Sequence, residues 1–114
     1  QRLLKMTDAK GRQLKVHKLC CPVKNVTIQG SFKIDFVEGT MPREDGDICI
    51  ASYMNFLITN DGVIVPQYGD ENDCLALEQV QTMFPDKKIV GVNTVEVVYG
   101  GGNIHCITQQ EPKR

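Results

Sequence analysis

A chain of 114 residues is one domain or a piece of a larger one, and area scaling lets it bury roughly two-thirds of the surface its unfolded form exposes. Leu, Ile, Val and Phe supply 32 residues, which excludes a disordered composition. A net charge of -1, from 13 basic and 14 acidic residues interspersed along the chain, excludes the basic stripe that a nucleic-acid backbone demands. No apolar run approaches a membrane span and no signal-peptide pattern opens the chain, so neither nucleic acid nor membrane is an expected partner.

In chain order, Gln1 to Met6 reads as the tail of an amphipathic helix whose beginning is missing, so a fragment or processed product is expected. Asp8 to Arg12 is a turn signal, with Gly11 fit for the left-handed region. Gln13 to Cys21 predicts a strand that Pro22 ends. Val23 to Gly39 predicts a long loop with short strand pieces such as Phe32-Lys33-Ile34, and the polar 38–47 segment is the best candidate for an internal boundary. Ile48 to Thr59, rich in Ile, Tyr, Phe and Cys, predicts a long strand. Asn60-Asp61-Gly62 predicts a tight turn and Val63 to Gln67 its return strand, with Pro66 placing that strand at an edge or an end.

Asp70 then predicts a helix N-cap, and Ala76, Leu77, Val80, Met83 and Phe84 fall on one helical face before Pro85 stops it. Lys88 to Val92 predicts a short strand and Asn93 to Tyr99 irregular chain. Gly100-Gly101-Gly102 predicts a break, Asn103 to Gln109 a last strand, and the final residues a frayed tail. From Ile48 the order is strand, strand, helix, strand, loop, strand: an α/β pattern.

The five cysteines are odd in number and scattered, without a CxxC pair, which reads as reduced cytosolic thiols without a structural zinc pattern. Most such cysteines are small buried residues, and one or two at most carry chemistry. Cys106 stands out because three glycines precede it at close range. A glycine run lets backbone approach a ligand and frees amide N–H groups, so Gly101, Gly102 and Asn103 are candidate substrate-loop residues. The alternative for Cys106 is a small core residue on a strand. On an extended segment, His105 faces away from the Cys106 sulfur and takes a supporting polar role. His17 reads as a structural histidine, and Asp70, Glu71 and Asp73 as a helix start rather than a cation site. Asn55, unfavourable in mid-strand, either satisfies buried backbone or orients a ligand. The glycines lack the GK[ST] ending of a phosphate loop, and the reading calls for no metal and no cofactor.

Gly100-Gly101-Gly102-Asn103-Ile104-His105-Cys106-Ile107-Thr108-Gln109-Gln110-Glu111-Pro112 resembles the carboxy-terminal signature of the agmatine deiminases. Ala51 to Phe56, Asp61 to Gln67 and Thr7 to Arg12 resemble the same family. The resemblance implies a pentein fold, an α/β-propeller of ββαβ-type units. This chain would be the carboxy-terminal part: one unit and part of the preceding one, within a single domain. It implies hydrolysis of agmatine to N-carbamoylputrescine and ammonia in the cytoplasm, in putrescine synthesis, with Cys106 as nucleophile through a covalent amidino-cysteine. The family's His-x-Asp motif and substrate-holding carboxylates have no counterpart here, since Lys18 and Leu19 follow His17. The expected partners are agmatine, the remainder of the parent chain and, for the parent, a second copy of itself. A non-catalytic pentein-like binding or assembly module, or a related enzyme acting on arginine or another guanidine, is the alternative.

Overall fold

The computed structural model describes residues 2–30 and 37–112. Leu57–Ile58 (β1) and Gly62–Gln67 (β2) pair antiparallel, with Leu57 opposite Ile64 and Ile58 opposite Val63. The turn between them closes as expected, the Thr59 N–H donating to the Gly62 carbonyl at 2.8 Å and the Gly62 N–H to Thr59 Oγ1 at 3.1 Å. Asp73–Met83 (α1) carries the chain across, and Lys88–Asn93 (β3) returns parallel to β2, in register from Gly62 opposite Lys88 to Gln67 opposite Asn93. A parallel return needs a crossover of this kind, and it leaves β2 between β1 and β3. Val95–Tyr99 (α2) follows directly.

Alternate residues of a strand share a face, so Val63 and Val65 of β2 both point into the core. There they meet Ala76 and Val80 of α1, Val98 of α2 and Tyr53, all fully buried. Each buried valine stabilises the fold by about 1.5–3 kcal/mol relative to exposure. Leu77, Met83 and Phe84 are only half-buried, so the packed stripe of α1 is narrower than its sequence period suggests.

Several expectations are corrected. The long strand from Ile48 to Thr59 is not formed. Ile48 makes one isolated bridge with Thr27, and 52–55 is a turn. The cause is local: Ser52 Oγ accepts the Met54 N–H at 3.2 Å and the Ser52 carbonyl accepts the Asn55 N–H at 3.2 Å. Of the two places expected for Pro66, the edge strand is not met, since β2 is the middle strand, but Pro66 does lie next to the end of β2. It is tolerated because β1 pairs only with residues 63 and 64 and has ended before Pro66. The strand expected at Gln13 to Cys21 reduces to a bridge between Gln13 and Thr7. Side chains, not a ladder, hold the backbone that follows: Gln79 Oε1 accepts the Cys20 N–H (2.8 Å), and Asn72 Nδ2 donates to the Cys21 carbonyl (2.8 Å). Asp70 accepts the N–H groups of Val23 and Lys24. Asp70 is therefore not the N-cap, which is Asn72. Leu3–Lys5 is a single 3-10 turn, and residues 95–99, expected irregular, are helical. The alternation at Phe32 to Ile34 and the last two residues of the tail lie outside the described residues.

Candidate functional site

The strand expected at Asn103 to Gln109 is instead a series of turns. The Asn103 carbonyl accepts the N–H groups of Cys106 (2.9 Å) and Ile107 (3.2 Å), and the His105 carbonyl accepts that of Thr108 (3.3 Å). Strand alternation therefore gives no reason for His105 and Cys106 to face opposite ways.

Asn103 anchors this turn from inside. It is 1% exposed; its Nδ2 donates to Tyr68 Oη (3.1 Å) and Thr94 Oγ1 (3.0 Å), and its Oδ1 accepts the Ile104 N–H (2.8 Å). The Asn103 side chain is committed to the core, so any contact of this loop residue with a substrate would have to come from its backbone. Tyr68 Oη also accepts the Ser52 N–H (3.0 Å) and donates to the Ser52 carbonyl (3.1 Å). One donor and two acceptor sites are all a hydroxyl has, so this one is saturated. It ties the 103–106 turn to the 52–55 turn. Tyr53, in that second turn, packs its ring 5.5 Å from that of Tyr68 and donates to Asp73 Oδ1 (2.7 Å). Burial, with the Asp73 carboxylate beside it, pushes the Tyr53 hydroxyl up.

The joined turns bring Asn55 against Cys106. Asn55 Oδ1 accepts the His105 N–H at 2.8 Å, and Asn55 Nδ2 lies 3.2 Å from Cys106 Sγ, which accepts its hydrogen bond. Cys106 is exposed, and its thiol is held below the ordinary cysteine value. The Asn55 hydrogen bond is the largest cause and backbone hydrogen bonding at Asn103 the next, against a smaller effect of desolvation. Burial pushes the Cys20 and Cys49 thiols the other way. Cys21 and Cys74 are exposed, so burial does not separate them from Cys106.

The first two glycines take part in the turn that ends α2. The N–H groups of Gly100 and Gly101 donate to the Val97 and Val98 carbonyls and close α2, so those two amides are not free as expected. Gly101 has φ +91, and the Arg43 guanidinium occupies the place where a Cβ would stand. A Cβ on Gly102 would lie 2.8 Å from Cys106 Cβ and 3.2 Å from its Sγ. His17 is exposed, on a segment without regular structure. Among the described residues, no group of three or more His, Cys, Asp or Glu side chains is placed to hold a metal ion, and no helix is long and apolar enough to cross a membrane. Sequence reasoning missed Ser52, Tyr68 and Thr94. Its one signal was the unfavourable Asn55.

The model of the Porphyromonas-type peptidyl-arginine deiminase family matches residues 1–112. A curated protein of Enterococcus faecalis is 98% identical over 114 residues, which is 100% of this chain and 31% of that protein. An agmatine deiminase of Pseudomonas aeruginosa is 45% identical over 106 residues, covering 92% of this chain and 29% of the relative. A solved structure described as the agmatine deiminase of Enterococcus faecalis catalyzing its reaction superposes with a TM-score of 0.93 at 97% identity, over 99% of this chain and 31% of that one. The chain thus spans about 31% of the length of such relatives. These matches give the share covered and do not bear out a placement at the carboxy-terminal end.

Proposed function

The chain belongs to the Porphyromonas-type peptidyl-arginine deiminase family, and from that premise we propose that Cys106 is the nucleophile of an agmatine deiminase. The other working parts lie in the rest of the parent protein. The observation that carries this reading is the exposed Cys106 thiol, which accepts the Asn55 side-chain amide N–H at 3.2 Å, while the hydrogen bonds of the Cys20 and Cys49 thiols are donated to backbone carbonyls. The family model bears the peptidyl-arginine name, but relatives from 45% to 97% identical bear the agmatine name, which favours a small free guanidine over a peptide.

A guanidinium carbon is a weak electrophile because its charge is delocalised, so it needs a strong nucleophile and a fixed orientation. The Cys106 thiolate adds to that carbon. The C–N bond to one terminal nitrogen breaks, and ammonia leaves once that nitrogen is protonated. The amidino group stays on sulfur. Water adds to the same carbon, the C–S bond breaks, and the thiolate returns as N-carbamoylputrescine departs. The sum is agmatine and water to N-carbamoylputrescine and ammonia. Proton transfer and guanidinium binding call for a histidine and carboxylates outside this chain, so the 114 residues alone release no ammonia from agmatine. The same reading assigns the described elements to one ββαβ-type pentein unit, with a junction near 38–47. It also places the parent in the cytoplasm, in putrescine synthesis, with self-association of the parent open to measurement.

The test is Cys106→Ser in the parent. Turnover should vanish while agmatine still binds. A haloacetamidine, which mimics a guanidinium, should label the unaltered parent at Cys106 and not at exposed Cys21 or Cys74. Normal turnover by the serine variant, or an adduct spread over several cysteines, defeats the reading.

A further inference from the structure

Asn55 has two jobs at once, and they fix each other. Its Oδ1 accepts the His105 N–H at 2.8 Å, and its backbone carbonyl shares that N–H at 3.3 Å. A backbone N–H can only donate, so the amide oxygen must be the atom that faces it. The amide nitrogen is then forced toward Cys106 Sγ, 3.2 Å away. An amide free to turn would serve thiol and thiolate alike. This one presents only a donor, and a donor favours the sulfur when it carries the negative charge. The orientation is supported from behind. The Asn55 N–H donates to the Ser52 carbonyl, and Ser52 is gripped at both backbone groups by the Tyr68 hydroxyl.

We propose that Asn55 is a positioning residue for the nucleophile, clamped by the His105 N–H so that its amide nitrogen holds the Cys106 sulfur as thiolate and aims it. This rests on the reading of Cys106 as nucleophile. The titratable and charged neighbours of the turn are His105, preceding Cys106 in the chain, and Arg43, whose guanidinium lies across Gly101. Among the described residues neither accounts for the lowered thiol value, which follows the Asn55 bond first and Asn103 second.

The experiment is the pH profile of Cys106 alkylation by iodoacetamide in the full-length parent, read by peptide mass, for Asn55→Asp and Asn55→Ala. The aspartate keeps the size and the acceptor for the His105 N–H but turns an anionic oxygen toward the sulfur. Its profile should move to higher pH by about one unit or more, so that labelling at pH 7 falls about tenfold and converges with the unaltered parent in strong alkali. The alanine variant should move the same way by less. Where the aspartate variant does not fold, the alanine profile decides. A merely structural Asn55 would lower the unfolding midpoint and leave the thiol profile in place, and an unshifted profile overturns the proposal. Cys106→Ser separates the two claims. An inactive serine variant with unshifted Asn55 profiles removes only the Asn55 role. An active serine variant removes the functional reading beneath it.

Discussion

Replacing Asn103 by alanine should cost stability and activity together, because one buried amide anchors the turn that presents Cys106. The side chain makes three hydrogen bonds and is 1% exposed, so water does not replace what is lost. The two donor bonds, to Tyr68 and Thr94, contribute about 1 kcal/mol each in net terms. The third partner matters more. The Ile104 N–H sits on a residue 9% exposed and would be left without its acceptor, at about 1–3 kcal/mol. Together the loss is about 3–5 kcal/mol, a large share of a typical folding free energy. Tyr68→Phe removes the other end of one bond and frees the Ser52 backbone groups as well. Since Asn103 and Tyr68 share a hydrogen bond, the double variant should lose about 1 kcal/mol less than the two single losses combined. Urea unfolding of the parent and its single and double variants measures all three values at a common slope. A loss below about 0.5 kcal/mol for Asn103→Ala, or strict additivity in the cycle, refutes the claim that this hydroxyl and amide form one joint.

Gly102→Ala places a Cβ 2.8 Å from Cys106 Cβ, closer than real Cβ atoms approach, so Cys106 or the turn that holds it must shift. Turnover by the parent should fall about tenfold to a hundredfold with a smaller change in KM, as expected for a misplaced reacting atom, and an unchanged kcat counts against the close packing of that turn. Asp70 gives a pH prediction. Its carboxyl is held below the ordinary range by hydrogen bonds from Val23 first, then Asn72 and Lys24. A carboxyl lowered in the folded state adds stability that is present above the unfolded value of about 4 and lost as pH falls through the folded value. Amide exchange at Val23 and Lys24, corrected for intrinsic rates, should therefore lose protection as pH drops below about 4. Asp70→Asn should flatten that dependence, and protection unaffected by acid would show that the arm is held by something else.

The elements that sequence made legible are those whose own residues dictate them. The Asn60-Asp61-Gly62 turn is built from residues suited to it, and the hairpin formed. The helical spacing of Ala76 and Val80 and the stop at Pro85 located α1 to within three residues at its start and one at its end. At Ile48 to Thr59 the β-rich composition predicted an extended run, but Ser52 bends the backbone onto its own side chain and Tyr53 swings into the core. At 95–99 irregular chain was expected, yet the segment is helical and buries Val98 and Tyr99. At the first a local side-chain hydrogen bond, and at the second the burial of Val98 and Tyr99, outweighs a propensity worth up to about 1 kcal/mol per residue.

The site follows the same division. Cys106 stood out in the sequence because glycines crowd before it, and the glycine at 102 is needed there for packing against Cys106 itself. Asn55 was legible only as an anomaly: a polar amide in what looked like a strand. What it does depends on Cys106, 51 residues away, and no local pattern carries that information. The assumption that misled most was extended backbone after Asn103. It put His105 and Cys106 on opposite faces and left the thiol without a neighbour. In the folded chain, the Asn103 carbonyl gathers the N–H groups of Cys106 and Ile107, and the same turn offers the His105 N–H to Asn55. His105 therefore acts on the thiol through its backbone: by engaging the amide oxygen, it decides which end of Asn55 the sulfur meets.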